Sequence, residues 1–85
     1  MLTIKYFTAA WCGPCKMFGP VFDGVMNETG VQFNKIDVDV NKELSAQYMI
    51  SSVPTIIFEV GGNIVHRQSG IMSRGQLISL IQKFS

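Results

Sequence analysis

The only two cysteines of this 85-residue chain, Cys12 and Cys15, stand three apart in Trp11-Cys12-Gly13-Pro14-Cys15-Lys16. On the first turn of a helix that spacing puts both sulfurs near one face, where they can close a small disulfide ring. Thiol–disulfide exchange uses such a pair: a thiolate attacks a partner's disulfide, a mixed disulfide forms, and a second thiol nearby releases it. The useful arrangement is one exposed sulfur of lowered pKa with a shielded neighbour. A helix N-terminus supplies it, because the free N–H groups of the first turn and the helix dipole favour negative charge at the first cysteine, while the second points back toward the core. Cys12 is therefore the expected nucleophile and Cys15 the expected resolving thiol. Pro14 falls in the first turn, where its missing N–H costs nothing, and Gly13 lets a partner's backbone come close. Trp11 provides an apolar lip beside the sulfur, and Lys16 adds positive charge nearby.

Two other uses of a Cys-x-x-C fit this chain less well. A zinc site needs a second pair of ligands, and beyond these cysteines there is one histidine, His66, and no further Cys; no metal is expected. A purely structural disulfide closing so short a loop removes little entropy from the unfolded chain. In a reducing setting a Cys-x-x-C is catalytic more often than structural.

The elements that must hold this turn can be read in order. Leu2 to Thr8 is rich in β-formers with apolar residues on both faces (Leu2, Ile4 and Tyr6 against Phe7), which suits an interior strand covered on both sides. From about Pro14 to Thr29 the apolar positions Cys15, Phe18, Val21, Phe22, Val25 and Met26 recur at helical spacing. Gly30 stops that helix and Pro20 kinks it. Val31 to Val38 reads as a second strand, parallel to the first because a helix crosses between them. Asn41 is the N-cap of a short helix through about Met49, with Leu44, Tyr48 and Met49 inward. Pro54 to Val60 and Asn63 to Ser69 are strands joined by a hairpin turn at Gly61-Gly62. Ser73 and Gln76 form a capping box for a last helix with Leu77, Ile78, Leu80, Ile81 and Phe84 on one broad face. The fold class is α/β, with the order βαβαββα and a four-stranded mixed sheet between helices on both faces.

Composition sets the outer bounds. Eighty-five residues make a single domain, 1–85, and a hydrophobic fraction of 47% is ample for a compact core. A net charge of +1, with no run of Lys or Arg, argues against nucleic acid as a partner. Met1 leads straight into a strand-like stretch without the features of a signal peptide, and no apolar run is long enough to span a bilayer. A cytoplasmic setting and no membrane association are expected.

The motif and the chain beyond it resemble the thioredoxin family. The likeness rests on Trp11-Cys12-Gly13-Pro14-Cys15-Lys16, on Pro20, on Lys35-Ile36-Asp37-Val38-Asp39, on Val53-Pro54-Thr55, on Gly62 and Gly70, and on Ser73-Arg74-Gly75-Gln76-Leu77, in family order across nearly the whole chain. Compared with longer thioredoxins the chain lacks an N-terminal strand and helix. The resemblance implies a thioredoxin fold, a protein-disulfide reductase without a bound cofactor, and a monomer. The partners it implies are disulfide-containing proteins and a thioredoxin reductase or equivalent electron donor.

The resemblance also places a second functional element at Pro54. The matching proline in the family follows a cis peptide bond and sits against the dithiol, which implies a cis Val53–Pro54 bond and a Val53 backbone able to pair with an extended substrate segment. A substrate groove is then expected from Trp11, Gly13 and Pro14 on one side, Val53 and Pro54 in the middle, and Gly70 and Ile71 on the other. At one point this chain departs from the family. Where typical thioredoxins carry a buried Asp six residues before the first cysteine, it has Tyr6, whose reference pKa of about 10 makes it a poor base. Lys35 stands where the usual facing lysine does, now without that carboxylate; it is expected to reach solvent or the Tyr6 hydroxyl, or to have its pKa lowered by burial.

The nearest rival is a glutathione-dependent, glutaredoxin-like oxidoreductase. It is disfavoured because Gly13-Pro14 replaces the usual Pro-Tyr and Ser69-Gly70-Ile71-Met72 lacks the acidic stretch of that class. A rival of another kind is a non-catalytic binding subunit of a larger assembly. His66 on an edge strand reads as solvated, Asp37 and Asp39 as strand-end carboxylates explained by solvation and helix-start electrostatics, and the five methionines as core filler.

Overall fold

The computed structural model describes Met1–Ser85. In chain order the elements are β1 (Leu2–Thr8), α1 (Gly13–Thr29), β2 (Gln32–Asp37), α2 (Lys42–Gln47), β3 (Thr55–Val60), β4 (Asn63–Ser69) and α3 (Arg74–Phe84). They form a four-stranded sheet in the order β2-β1-β3-β4. β1 runs parallel to β2 and antiparallel to β3, and β3 is antiparallel to β4. The expected βαβαββα order and mixed sheet are therefore present, with strand ends one residue inside those read at Val31, Val38 and Pro54. No helix is long and apolar enough to cross a membrane.

β1 and β3 lie in the middle of the sheet because their side chains find apolar cover on both sides. On one face Leu2, Ile4 and Tyr6 of β1 and Ile56 and Phe58 of β3 pack with Phe18, Phe22, Val25 and Met26 of α1 and Leu77 and Ile81 of α3. On the other, Phe7, Ile36 and Ile57 meet Leu44, Tyr48 and Ile50 in and after α2. One apolar residue in three or four along α1 thus suffices to seat it, and the last turn closes on Gly30, whose φ of 70° is the left-handed stop a glycine takes readily. The helix is continuous through Pro20. This proline lies on the exposed side, where water can take the carbonyl it leaves without a partner.

The hairpin turn is as expected, with φ of 59° at Gly61 and 84° at Gly62, the pair of positive angles a tight two-residue turn requires. The capping box of α3 is present in full, Gln76 N–H donating to Ser73 Oγ and Ser73 N–H to Gln76 Oε1. α2 differs from expectation: it ends at Gln47, and Met49 is 77% exposed at φ 53° rather than inward. The chain must leave the helix there to reach Pro54, and a left-handed residue makes that turn. Asn41 precedes α2 but its side chain makes no cap bond, donating instead to the Asp37 carbonyl.

One feature carried no signal in the sequence. Short α2 covers only part of its sheet face, and beyond it Glu59, 5% exposed, shares its two carboxylate oxygens between the Lys5 ammonium and the Tyr48 hydroxyl, the latter at 2.9 Å. A buried carboxylate is tolerated because both oxygens are satisfied. The Glu59 hydrogen bond, aided by Tyr48 and outweighing desolvation, raises the Lys5 pKa.

Candidate active site

β1 delivers the chain through Ala9 and Ala10 to Trp11, and α1 begins at Gly13, so Cys12 is the N-cap of α1 with extended backbone. The turn is pinned by Cys12 N–H donating to the Ala9 carbonyl and Lys16 N–H to the Cys12 carbonyl, both at 3.2 Å. Pro14 sits in the first turn, as expected. Cys12 and Cys15 are joined as a disulfide, with their Cα atoms 5.2 Å apart. The Cys15 N–H donates to Cys12 Sγ at 3.2 Å. That amide is one of the orphan donors of a helix start, and it stabilises negative charge on Cys12 once the bond is reduced.

The two sulfurs differ less in exposure than expected. Cys12 is 3% exposed and Cys15 5%, both packed with Ala9 and against Val38 and Val53. In the oxidised form the Cys12 side chain is thus as covered as its neighbour. What distinguishes Cys12 is its position: the helix N–H points at it, and Val53 O lies 3.6 Å from its sulfur.

Val53–Pro54 is cis. Pro54 is buried, and its carbonyl accepts from Gly70 N–H at 2.8 Å, which ties the loop between β4 and α3 to Pro54. Gly70 has φ 83° there, a conformation that costs other residues about 1–2 kcal/mol. Ile71 next to it is 52% exposed. On the opposite side Trp11 is 69% exposed, and Gly13 has open space where a side chain would stand, so a Cβ there would obstruct only an incoming partner. Of the residues expected to line the groove, Trp11, Gly13 and Pro14 adjoin the cysteines in the chain, Val53 packs against them, and Gly70 is bonded to Pro54; Lys16 is exposed in the first turn of α1.

Asp37 and Asp39 are more than solvated carboxylates. Asp39 Oδ2 accepts from the Trp11 indole N–H at 2.8 Å, and Asp37 Oδ1 accepts from Asp39 N–H at 2.8 Å, shaping the turn that presents it. An exposed aromatic lip is thus held by a carboxylate 28 positions along the chain. The strand-end Asp-x-Asp spacing and a second strand parallel to the first were visible in the sequence; the register of β1 against β2 and the bond from Trp11 to Asp39 were not.

Beneath the site Tyr6 is 2% exposed, its ring 5.8 Å from that of Phe18 and 4.5 Å from that of Phe22. Its hydroxyl donates to the Cys15 carbonyl at a long 3.5 Å. Burial pushes the phenol above its usual range, only partly opposed by Thr8 and the Lys35 charge. Tyr6 is a protonated donor below the resolving cysteine. Lys35 does not reach the Tyr6 hydroxyl: it pairs with Asp23 on α1, a carboxylate that nothing in the sequence connects to it. Both side chains are about half exposed, so the pair adds little stability. His66, on edge strand β4, is half-buried, meeting Gln68 at 3.1 Å and the rings of Phe58 and Phe84.

Known proteins share this sequence pattern and this fold. The thioredoxin family model matches residues 2–83. A thioredoxin of Chlamydia trachomatis is 41% identical over 83 residues, covering 96% of this chain and 81% of its own. A bifunctional thioredoxin reductase/thioredoxin of Mycobacterium leprae is 39% identical over 74 residues, covering 85% of this chain and 16% of the relative. Among solved structures, a thioredoxin of Fasciola hepatica superposes with a TM-score of 0.92 at 35% identity, covering 99% of this chain and 81% of the other.

Proposed function

The chain belongs to the thioredoxin family of thiol–disulfide oxidoreductases, and we propose that it reduces disulfides in other proteins, with Cys12 attacking and Cys15 resolving. The observation that carries this reading is the Cys15 N–H aimed at Cys12 Sγ from the start of α1. In the reduced protein that donor and the helix dipole lower the pKa of Cys12, so it is the thiolate.

The thiolate attacks one sulfur of the partner's disulfide. A bond forms to Cys12 Sγ, the partner's S–S bond breaks, and its other sulfur leaves as a thiolate that takes a proton from water. Cys15 then loses its proton, attacks Cys12 Sγ and expels the second partner thiolate. Two electrons have passed to the partner, and the Cys12–Cys15 disulfide remains. Tyr6, kept protonated by burial, is not the base for Cys15; water takes that proton. The low exposure of Cys12 fits a site approached along one direction, with the partner's extended backbone lying over Gly13 and Pro14 and pairing with Val53, between Trp11 and Ile71.

The electron donor in this reading is a thioredoxin reductase; a relative that joins reductase and thioredoxin in one chain supports that pairing. The protein acts as a single domain and a monomer in the cytoplasm, without a metal or bound cofactor. The test is NADPH consumption with a protein disulfide substrate, once with thioredoxin reductases and once with glutathione and glutathione reductase, with Cys12→Ser as control. Turnover in the first arm alone supports the proposal. Turnover mainly in the second moves the protein to glutathione-dependent chemistry, and none in either, from folded protein, leaves a binding role.

A further inference from the structure

The apolar surface beside the disulfide does not end at Ile71. Between α1 and the loop entering α3, Met17 and Val21 face Ile71 and Met72 across a groove also lined by Phe18. Phe18 and Met72 are buried and furnish its floor, while Met17 is 73% exposed and Ile71 52%. Solvent-exposed apolar side chains grouped in this way mark contact surfaces more often than chance exposure does. The polar rim, Ser73 and Gln76, is already occupied: the side-chain oxygens of both accept backbone N–H groups in the capping box of α3. What the groove offers is chiefly shape and apolar area, with both rim side chains already fixed in place by the capping box.

We propose that this groove is a specificity subsite for a large apolar side chain flanking the disulfide of the partner protein. The proposal rests on the reduction of protein disulfides argued above and names which of them react fastest. The occupant follows from continuity. Ile71 lines this groove and follows Gly70, whose N–H bonds the Pro54 carbonyl next to the Val53 that packs on Cys12, and a partner captured on Cys12 has its cysteine fixed there. α1 rises about 1.5 Å per residue, so Met17 to Val21 lie roughly 8–14 Å along its axis from Cys12. An extended segment covers about 3.3 Å per residue, so the side chain that reaches the groove sits about two to four residues from the partner's cysteine. With flexible methionines at positions 17 and 72, the subsite accepts Leu, Met and Phe alike instead of selecting one shape. A small or charged side chain gains nothing there.

Pre-reduced protein is mixed with oxidised peptides that carry one intrachain disulfide and differ only in a Leu, Met, Ser or Glu walked from four residues before the cysteine to four after. Second-order rates are read by acid quench and chromatography, and the small disulfide 5,5′-dithiobis(2-nitrobenzoate) serves as a substrate too short to reach the groove. The expected result is a preference of about tenfold for Leu or Met over Ser and Glu, confined to about two to four residues on one side of the cysteine. In Met17→Ser that preference shrinks to under about threefold while the small-disulfide rate is unchanged, since an exposed side chain is removed without touching the dithiol. Equal rates for all peptides, with peptides and small disulfide both reduced, overturn the subsite and leave the reductase standing. A preference that survives in Met17→Ser overturns it too. Failure to reduce any disulfide overturns both.

Discussion

Replacing Tyr6 by Phe removes one hydroxyl from a site where its chemistry can be isolated. The ring is fully packed against Phe18 and Phe22, and Phe keeps that packing. The hydroxyl's hydrogen bond to the Cys15 carbonyl is 3.5 Å long, and that carbonyl lies within the hydrogen-bonded turns of α1. An ordinary hydrogen bond contributes about 1 kcal/mol and one this long contributes less, so Tyr6→Phe should change stability at neutral pH by under about 1 kcal/mol. Alkaline solution separates the two proteins. Burial raises the Tyr6 pKa above that of the unfolded chain, so between the two values the folded state holds a proton that the unfolded state has lost. The stabilisation is complete below about pH 10 and is lost as pH rises through the folded value, at up to about 1.4 kcal/mol per pH unit. Lys5, raised by Glu59, loses stability in the same direction, but identically in both proteins. Urea unfolding followed by circular dichroism from pH 7 to 11.5 should therefore show the variant gaining on the parent above about pH 10. Because a protonated phenol is not the base for Cys15, mixed-disulfide release at pH 7 should stay within about threefold. Parallel stability curves, or a tenfold slower release, refute this account of Tyr6.

Other outcomes rest on the same contacts. Tyr6→Asp should speed mixed-disulfide release by supplying a base, at a loss of about 3–5 kcal/mol for the missing ring; its carboxyl pKa, raised by burial, makes stability fall further as pH rises above that of the unfolded carboxyl, and an unchanged or slower release sinks the idea. Asp39→Ala frees the Trp11 indole and should raise KM for protein disulfides about threefold with kcat unchanged, an effect of the size of one lost hydrogen bond; the emission of Trp11, the only tryptophan, should shift with it. Ser73→Ala removes half of the α3 capping box and should cost about 1 kcal/mol, or about 4–8 °C in Tm, without altering small-disulfide reduction.

Much of the architecture was legible because its signals are local. The helical spacing from Cys15 to Met26, the glycine pair at 61 and 62, and the Ser73 to Gln76 box each act within a few residues, and each stands where the sequence placed it. The dithiol turn was legible for the same reason. What escaped depends on which strands become neighbours. Asp39 holds Trp11 and Glu59 joins Lys5 to Tyr48 only once β1 lies between β2 and β3, and Asp23 meets Lys35 only once α1 packs on the sheet. The burial of Cys12 escaped as well, since it is made by Ala9, Val38 and Val53 from three separate parts of the chain. Helical spacing placed Met49 inward, and the exit of the chain toward Pro54 overrode that spacing.

The order of the two thiols is the centre of the account, and single-serine variants test it most directly. Cys15→Ser and Cys12→Ser, each reduced and mixed with an oxidised protein substrate, are assayed for covalent adducts by mass spectrometry without reductant. Cys15→Ser should accumulate a mixed disulfide through Cys12 that persists, and Cys12→Ser should form almost none. An adduct that builds up on Cys15 in the Cys12→Ser protein, with none in Cys15→Ser, contradicts the assignment and with it the role given to the N-terminus of α1.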